Sequence, residues 1–600
     1  MPPNKGATGR KKDAIHFVNA RPSSENERLR IRRLVRAHVG QWISDQTKDR
    51  SDTAETQLKE HHEKSVDLDT EETLFPSSSP SGSSSRSPES NTSNSTSLVR
   101  TIDQKNARQT TPKARACPVH TDAMASTFDS SFDHNKLARG SLSMSDSPSP
   151  SPPGEYVESF GANVLDPFHT SPSKYAPDLV SACERYCLNV LWPGLTPGHG
   201  NDDSSVLASS NWFPLSLNDP TLFTAFLFGS LSHQRVQWIN GWIPKDSFRP
   251  RDQQLLQLCE FETIKMINQQ VSIPGRAVCD AVILSVICMA HNAADENDER
   301  LQRRTPFHAP MRRLQWLDVY GSLPPNIVHV EGLVQMVKLR GGLEQITLPG
   351  LAPILSFSDI VTATTYLVPP VFSYIPLSDD RRNMSLQTLL GYDPVEVERQ
   401  YGHLRQLGLT EELLNLFYAM RVYMNNVDGI LHKTIKGDNA LLADQRNLIQ
   451  HTLQALPPAI QTEAYPSFPD QGVVYEASRL AALVYSVGVV FPLPAQSSPL
   501  ARLALFLRGT INNWRSKPTW THPQALVLIL WALTLGGIAS DNRPEREWFV
   551  QVLGQTLREH HISTWAELRT MLRMILWYDT ACDEAGRALL FEIEMAFMSF

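Results

Sequence analysis

Residues 328–346 read VHVEGLVQMVKLRGGLEQI, and this stretch predicts one complete helix together with its end. The apolar side chains recur every three or four residues, which places them on one face of a helix. They are Ile327, Val330, Leu333, Val334 and Val337. Lys338 and Arg340 fall in the last turn, where positive charge meets the negative end of the helix dipole. Gly341-Gly342 then supplies the left-handed residue that commonly ends a helix.

His329 is a candidate metal ligand or base within this helix. Apart from Glu331, no second His, Cys or carboxylate lies at metal-binding or catalytic spacing from it. We therefore interpret His329 as a structural histidine. The stretch also resembles a recurrent marker of the fungal-specific transcription factor domain, a helical region that follows or replaces a zinc-cluster DNA-binding module in fungal regulators. The residues that carry the resemblance are His329, Gly332, Leu333, Arg340, Gly341, Gly342 and Leu343.

The positive charge of the chain is concentrated at its N-terminus. Residues 1–50 contain twelve Lys or Arg against five Asp or Glu, whereas the 600 residues together have a formal net charge of -7. A helix that begins near Ser24 or Asn26 is predicted here, with an apolar series on one face and arginines on the other. The candidate nucleic-acid or nuclear-import residues are Arg10, Lys11, Lys12, Arg28, Arg30, Arg32, Arg33 and Arg36.

Three interpretations of this basic arm stay open. A basic helix face can neutralise DNA phosphates without reading bases. Basic clusters also serve nuclear import, and a solvated charged face can belong to a helix whose apolar side docks on the protein. Residues 17–19 (FVN) and 33–39 (RLVRAHV) resemble the N-terminal signature of a subgroup, the tachykinin-family-type fungal regulators, that has the transcription factor domain but lacks the zinc cluster.

The composition predicts three segments: a basic arm over 1–50, a linker over 51–173 and an all-helical domain over 174–600. Twelve of the twenty-five residues from 76 to 100 are Ser, and residues 141–153 repeat Ser-Pro steps. Such sequence offers too little apolar surface to offset the entropy of ordering, so we expect the linker to be disordered.

The third segment carries helical patterns between breakers and no strand alternation, so we expect an all-α fold. The predicted helices span 177–192, 219–240, 250–271, 276–295, the helix quoted above, one that begins at 358, and then 398–407, 410–435, 439–455, 473–490, 497–514, 522–538, 543–560, 564–577 and 582–597. Residues 377–396 are expected to be a loop. The apolar runs 277–294 and 525–539 are marginal or too short to cross a bilayer, and we expect buried core helices and no membrane partner.

The C-terminal block 565–583 also resembles the fungal domain, in which a Trp-containing helix leads into an acidic turn. Trp577, Asp579 and Asp583 are the structural residues of this block. Two aspartates can form a catalytic pair. The block contains no His or Lys that could complete such a site, and its one Tyr is Tyr578. We therefore expect roles in turns, with Asp583 as the cap of the last helix.

The binuclear zinc cluster of the wider family needs six cysteines in a basic N-terminal module, and residues 1–116 contain none. The seven cysteines of the chain are scattered, as is usual in a reducing compartment. Cys183 and Cys187 are four residues apart but lack further ligands, so we expect no metal site and no cofactor. The resemblance implies a nuclear regulator of transcription, acting on metabolic or secondary-metabolite genes through weak or indirect DNA contact, other regulators or a homodimer.

Enzyme signatures are missing from the sequence: there is no phosphate-binding loop, zinc-protease motif, nucleophile elbow or dinucleotide fingerprint. We therefore expect a protein that is not an enzyme. The alternative is a cytoplasmic helical protein that binds or converts a small molecule at a site the sequence does not reveal.

Overall fold

The computed structural model describes residues 174–198, 204–292, 304–462, 465 and 467–598. All of them belong to one compact unit of the chain. As expected, the fold is all-α, and no strand occurs in the described part. The predicted basic arm and linker lie outside the described residues.

The first nine helices run from residue 177 to residue 366. They are α1 (Pro177–Tyr186), α2 (Trp192–Leu195), α3 (Ser204–Leu217), α4 (Pro220–Ile239), α5 (Pro250–Val271), α6 (Asp280–Ala290), α7 (Leu317–Tyr320), α8 (Ile327–Arg340) and α9 (Leu351–Tyr366). Asp219 accepts hydrogen bonds from the backbone N–H groups of Thr221 and Leu222, so the predicted cap of α4 is confirmed.

The remaining helices run from residue 386 to residue 598. They are α10 (Leu386–Leu390), α11 (Pro394–Tyr401), α12 (Glu411–Leu431), α13 (Asn439–Ala455), α14 (Pro469–Tyr485), α15 (Leu500–Trp514), α16 (Ala525–Ala539), α17 (Arg546–Glu559), α18 (Trp565–Ile575) and α19 (Asp579–Met598). The predictions for α5 and α13 have both ends right, and most of the others are wrong by a few residues at both ends.

Several helix predictions are wrong in kind. Helix α3 is absent from the predicted set, because Pro214 lies inside it. Residues 377–396 are expected to be a loop but contain α10 and the start of α11. Helix α9 begins at Leu351 and not at 358, since Pro353 falls in its first turn, where proline is tolerated.

Pro193 does not end the first helix as expected. A π-helical turn over Cys187–Leu191 precedes it, and helical geometry then continues through α2. A local π turn is one of the recognised ways in which a helix absorbs an irregularity in its hydrogen-bond ladder. The chain therefore reaches Trp192 and Leu195 without leaving the protein interior, where both side chains are buried.

Two large apolar clusters fill the unit. The N-terminal core contains buried side chains of α1 to α6, α8 and the first turns of α9, and the C-terminal core contains those of α10 to α19. Helix α9 belongs to both, because Leu351 and Ile354 lie in the first cluster while Phe357 and Val361 lie in the second. This helix is therefore the seam between the two cores.

Helix α8 confirms the prediction from residues 328–346. All five side chains of the predicted stripe are buried. Gly341 has φ +102° and ends the helix. Gly342 also has a positive φ, +107°, so both glycines and not one adopt a conformation that favours glycine.

One helix passes the length and hydropathy test for a membrane span. It covers Pro469–Val490, that is α14 and the π-helical turn after it, and 89% of its most apolar window is buried inside the unit. A buried core helix of a water-soluble protein passes the same test, so this segment is weak support for a membrane location.

Candidate ligand-binding site

A cavity lies at the seam between the two cores. Its walls come from α2, α3, α4, α6, α7 and α9, and aromatic and aliphatic side chains form most of them, among them Trp192, Trp212, Phe226, Ile287, Phe357 and Val361. The centre of a water molecule can occupy about 70 Å³ of it, within about 640 Å³ of non-atom space that includes open solvent. Concave apolar sites of this type are where small molecules usually bind.

The aromatic wall is held by ring contacts. The Trp192 ring lies 4.8 Å from that of Phe226 and 5.7 Å from that of Trp212, both edge to face. The indole N–H of Trp212 donates to the carbonyl of Pro349, 2.9 Å away, just before α9. These contacts fix the wall from helices that lie far apart in sequence.

A polar edge interrupts this apolar lining. It contains Tyr320 from α7, His291 and Asn292 from the end of α6, and Ser358 from α9. His291 Nε2 lies 2.5 Å from Ser358 Oγ, and Asn292 Nδ2 donates to the carbonyl of Cys288 at 2.8 Å. Within the described chain, the Tyr320 hydroxyl and the Asn292 Oδ1 have no hydrogen-bond partner.

The cavity walls carry no net charge. Burial lowers the pKa of His291 to about 4, so its imidazole is neutral at physiological pH. Burial also raises the pKa of the Cys288 thiol to about 12, which keeps the thiol protonated and a poor nucleophile. None of the lining residues is Asp, Glu, Lys or Arg. An ion would lose its hydration here without a charged partner, so the site suits an uncharged guest.

Gly229 of α4 leaves space at the cavity wall. A Cβ atom placed there would lie 3.8 Å from Asn292 Nδ2 and 3.9 Å from Cys288 Sγ, which are ordinary contact distances. The position is therefore open toward the polar edge. Since α4 is otherwise almost entirely buried, the missing side chain contributes to the cavity volume.

The segment before α7, the helix that contains Tyr320, has a strained backbone. Met311, Gln315 and Trp316 all have φ between +53° and +55° although none is glycine. Such conformations cost about 1–3 kcal/mol each and persist only where surrounding contacts impose them. The Trp316 indole N–H donates to the carbonyl of Leu191 at 3.0 Å, and Gln315 Nε2 donates to that of Leu195 at 3.3 Å. Two hydrogen bonds thus join the strained segment to the cavity wall at Leu191 and Leu195.

Arg446 of α13 supports this segment from the other side. Its guanidinium is fully buried and donates to the carbonyl of Leu314 at 2.9 Å and to Gln315 Oε1 at 2.8 Å. It lies over the rings of Phe357 and Phe491, 5.6 Å and 5.1 Å from their centroids. Burial lowers the pKa of Arg446 to about 10, which leaves it charged. Carbonyl dipoles and ring faces therefore replace water around this cation.

The motif residues of α8 have structural roles near the site. Arg340 pairs with Asp280 at 3.1 Å and donates to the carbonyl of Val278 at 2.8 Å. Asp280 in turn accepts from the backbone N–H groups of Thr347 and Leu348. The turn that Gly341 and Gly342 make is thereby tied to the start of α6. Helix α6 begins at Asp280, four residues later than predicted.

His329 and Gly332 of α8 are buried inside the unit. Burial lowers the pKa of His329 to about 4, as a neutral structural histidine requires. The backbone N–H of Asn326, before α8, donates to the carbonyl of Ala290 at 2.8 Å. Helix α8 therefore positions the end of α6, where His291 and Asn292 line the cavity, without contributing a lining side chain.

The prediction for Asp583 is wrong. Helix α19 begins at Asp579, three residues earlier than predicted, so Asp583 lies in its second turn and cannot be its cap. Its carboxylate accepts from Trp577 Nε1 at 2.9 Å and pairs with Arg569 at 3.1 Å. Asp579 pairs with Arg573. Both aspartates join α18 to α19, and the same Arg569 nitrogen lies 3.8 Å from Asp579 Oδ2 and 3.1 Å from Asp583 Oδ2.

The other predicted site residues lie outside the described chain. These are Arg10, Lys11, Lys12, Arg28, Arg30, Arg32, Arg33 and Arg36. Cys183 and Cys187 are buried in the N-terminal core. Over the ranges that the structure covers, no three His, Cys, Asp or Glu residues are grouped as a metal site would need.

The sequence does not reveal the cavity residues. His291 and Ser358 are 67 residues apart, and Tyr320 belongs to a four-residue helix that no periodicity reveals. Only the apolar pattern of 277–294 indicates that the end of α6 is buried. Comparison of the chain with family models, with curated proteins and with solved structures gives no match.

Proposed function

We propose that this protein is a nuclear regulator of transcription without a zinc cluster, whose helical unit receives a small-molecule signal. The observation that carries the proposal is the arrangement of charge: a basic arm over residues 1–50, with twelve Lys or Arg against five Asp or Glu, precedes an uncharged cavity inside a helical unit. The arm serves nuclear entry or weak phosphate contact. The nuclear role rests on the resemblance of residues 328–346 and 565–583 to the fungal regulators.

The partners follow from the same reasoning. DNA would be contacted weakly or through other regulators, because the arm lacks the cysteines of a zinc cluster and its positive charge can neutralise phosphates without reading bases. A second copy of the chain is a further candidate partner. Metabolic or secondary-metabolite genes are the targets that the resemblance implies.

The test replaces five arginines of the arm by Gln: Arg28, Arg30, Arg32, Arg33 and Arg36. Gln keeps helix propensity nearly intact but removes the positive charge. The matched control replaces the same five by Lys, which keeps the charge. In a strain that lacks the native gene, we expect the Gln variant to lose nuclear accumulation and the transcripts that depend on the protein. The Lys variant should restore both, and both variants should match the native thermal unfolding midpoint.

A Gln variant that is folded, nuclear and fully active in transcription would refute the role of the arm. If gene deletion changes a metabolite and no transcript, the protein is not a regulator and the second candidate replaces this one.

The second candidate is an enzyme, favoured by the contact between His291 Nε2 and Ser358 Oγ at the cavity edge. A histidine that accepts the serine proton is the usual way to activate such a nucleophile. It ranks second because His291 Nδ1 has no partner within the described chain, so no carboxylate there orients the imidazole. Hydrolysis of an aryl ester that Ser358→Ala abolishes, in a folded protein, would support it.

A further inference from the structure

The cavity at α9 has a definite chemical selectivity. We propose that it binds a compact, uncharged molecule with one ring-sized apolar body and a single polar group directed at Tyr320 and Asn292. The site assignment depends only on the cavity, whereas its use as a signal rests on the proposed function.

The size limit comes from the cavity volume. About 70 Å³ admits the centre of a water molecule. An engineered apolar cavity of about 150 Å³ stays dry and binds benzene. By the same measure the present cavity is smaller, so a guest with one ring and a short substituent would have to extend into the surrounding non-atom space, part of which is open solvent.

The preference for an uncharged molecule comes from the walls. Trp192, Trp212 and Phe226 present aromatic surface, and no lining side chain is a carboxylate, ammonium or guanidinium. The buried guanidinium of Arg446 lies over the ring of the lining residue Phe357, and it donates to Leu314, Gln315 and Asn447. Because these hydrogen bonds belong to the folded protein, Arg446 does not serve as a counter-ion for an anionic guest.

The single polar group is required by the unused hydrogen-bonding capacity. Tyr320 can donate and accept, and Asn292 Oδ1 can accept; the structure gives neither atom a partner in the residues it describes. Both residues line the cavity together with His291, which precedes Asn292 in the chain and already contacts Ser358. A hydroxyl on the guest can donate to Asn292 and accept from Tyr320, so an alcohol or phenol fits this edge best.

An occupant would touch both cores at once. Ile287 and Trp192 belong to the N-terminal core, while Phe357 and Val361 belong to the C-terminal core. Phe357 also lies against Arg446, which holds the strained segment that precedes α7 and Tyr320. Binding would therefore stabilise the seam relative to any arrangement in which the two cores part, and this differential affinity is what a ligand-driven switch needs.

The test uses three probes of similar size: benzyl alcohol, toluene and benzoate. Binding to the full chain is measured by ligand-observed NMR with titration, and by the thermal unfolding midpoint. We expect benzyl alcohol to bind, toluene to bind about threefold to tenfold more weakly, and benzoate to bind at least tenfold more weakly.

Two variants identify the site. Tyr320→Phe removes only a hydroxyl without a partner in the described chain, so it should fold normally, weaken benzyl alcohol about threefold to tenfold, and leave toluene unchanged. Gly229→Leu should block all three probes. The matched control is Gly509→Leu, since Gly509 lies in a helix interior at an open surface where a new Cβ meets nothing within 4 Å. If Gly229→Leu unfolds the chain, Tyr320→Phe alone decides.

Equal affinities for the alcohol and the carboxylate, or no effect of Tyr320→Phe on the alcohol, would overturn the proposal. No binding of either neutral probe at millimolar concentration would also overturn it. The outcome is separable from the nuclear role: failure of the arginine test with intact selectivity for benzyl alcohol leaves a binding protein that is not a regulator. Failure of the probe test with intact nuclear function leaves a regulator without this ligand site.

Discussion

Replacing Arg446 by Met should destabilise the fold by about 3 kcal/mol. Two buried acceptors, the carbonyl of Leu314 and the Oδ1 of Asn447, would lose their guanidinium donors, at about 1–3 kcal/mol each. Loss of the contacts with two aromatic rings adds about 1–2 kcal/mol. Relief from burying a charge offsets a few kcal/mol of this cost, and Met keeps most of the apolar stem.

The matched control is Arg508→Met. The guanidinium of Arg508 lies 5.9 Å from the ring centroid of Trp548, but the residue is only half-buried and makes no buried hydrogen bond to a carbonyl of the described chain. Its loss should cost at most about 1 kcal/mol. Urea unfolding followed by far-UV circular dichroism gives both differences.

Hydrogen exchange provides a second readout of the same substitution. Amide exchange in residues 311–320 should accelerate in Arg446→Met and not in Arg508→Met, because only Arg446 holds that segment. If Arg446→Met costs no more than Arg508→Met, the guanidinium does not hold the strained segment, and the two cores are joined at the seam by other contacts.

The remaining predictions concern glycines and one histidine. Gly229→Ala and Gly509→Ala should each raise the free energy of unfolding by about 1 kcal/mol through helix propensity. Only Gly229→Ala should weaken benzyl alcohol binding. If Gly229→Ala lowers the stability in urea unfolding, the cavity wall has no free space at Gly229. Gly341→Ala and Gly342→Ala should each cost about 1 kcal/mol or more, because both positions have φ above +100°, and an unchanged urea midpoint for either would show that α8 ends differently. His329→Gln should flatten the pH dependence of stability: the folded pKa of about 4 lies below the unfolded value near 6.5, so this histidine contributes stability above pH 6.5 that is lost as pH falls toward 4. The difference between native and variant slopes near pH 5 should be about 1 kcal/mol per pH unit, and parallel curves would contradict neutral burial of His329.

Periodicity predicts most of the helices because most of them bury one face. The prediction for helix α13 has both ends right, since Asp438 caps its start and proline follows its end at 457–458. Helix α3 escapes prediction because Pro214 is an unfavourable residue inside a helix, and only tertiary packing makes up for it: Trp212 and Ser216 are buried in this helix. The local sequence does not predict that packing.

The cavity could not be predicted for a different reason. Its polar edge joins α6, α7 and α9, and the spacing between Asn292, Tyr320 and Ser358 follows no helical or strand period. The Arg-Gly-Gly-Leu run is recognisable as a helix end, but the partner of Arg340, Asp280, lies 60 residues earlier in the chain. The sequence alone could not show that the run pairs with the start of α6. Capping geometry is local, whereas ion pairs between distant helices are not.

The cavity and the backbone strain occur together, and one explains the other. Trp316 can donate to the carbonyl of Leu191 only because its own φ is positive and because Gly194 presents no side chain: a Cβ at Gly194 would lie 2.1 Å from the indole Nε1. The strained turn at Gln315 and Trp316 thus lets α7 approach α2 closely enough for Tyr320 to reach the cavity. Strain of this kind persists because Arg446 and the α2 carbonyls hold it, so any occupant that adds contacts to Tyr320 would add to the same set of forces. A ligand at this seam would therefore act on a segment whose strained conformation is held by its contacts.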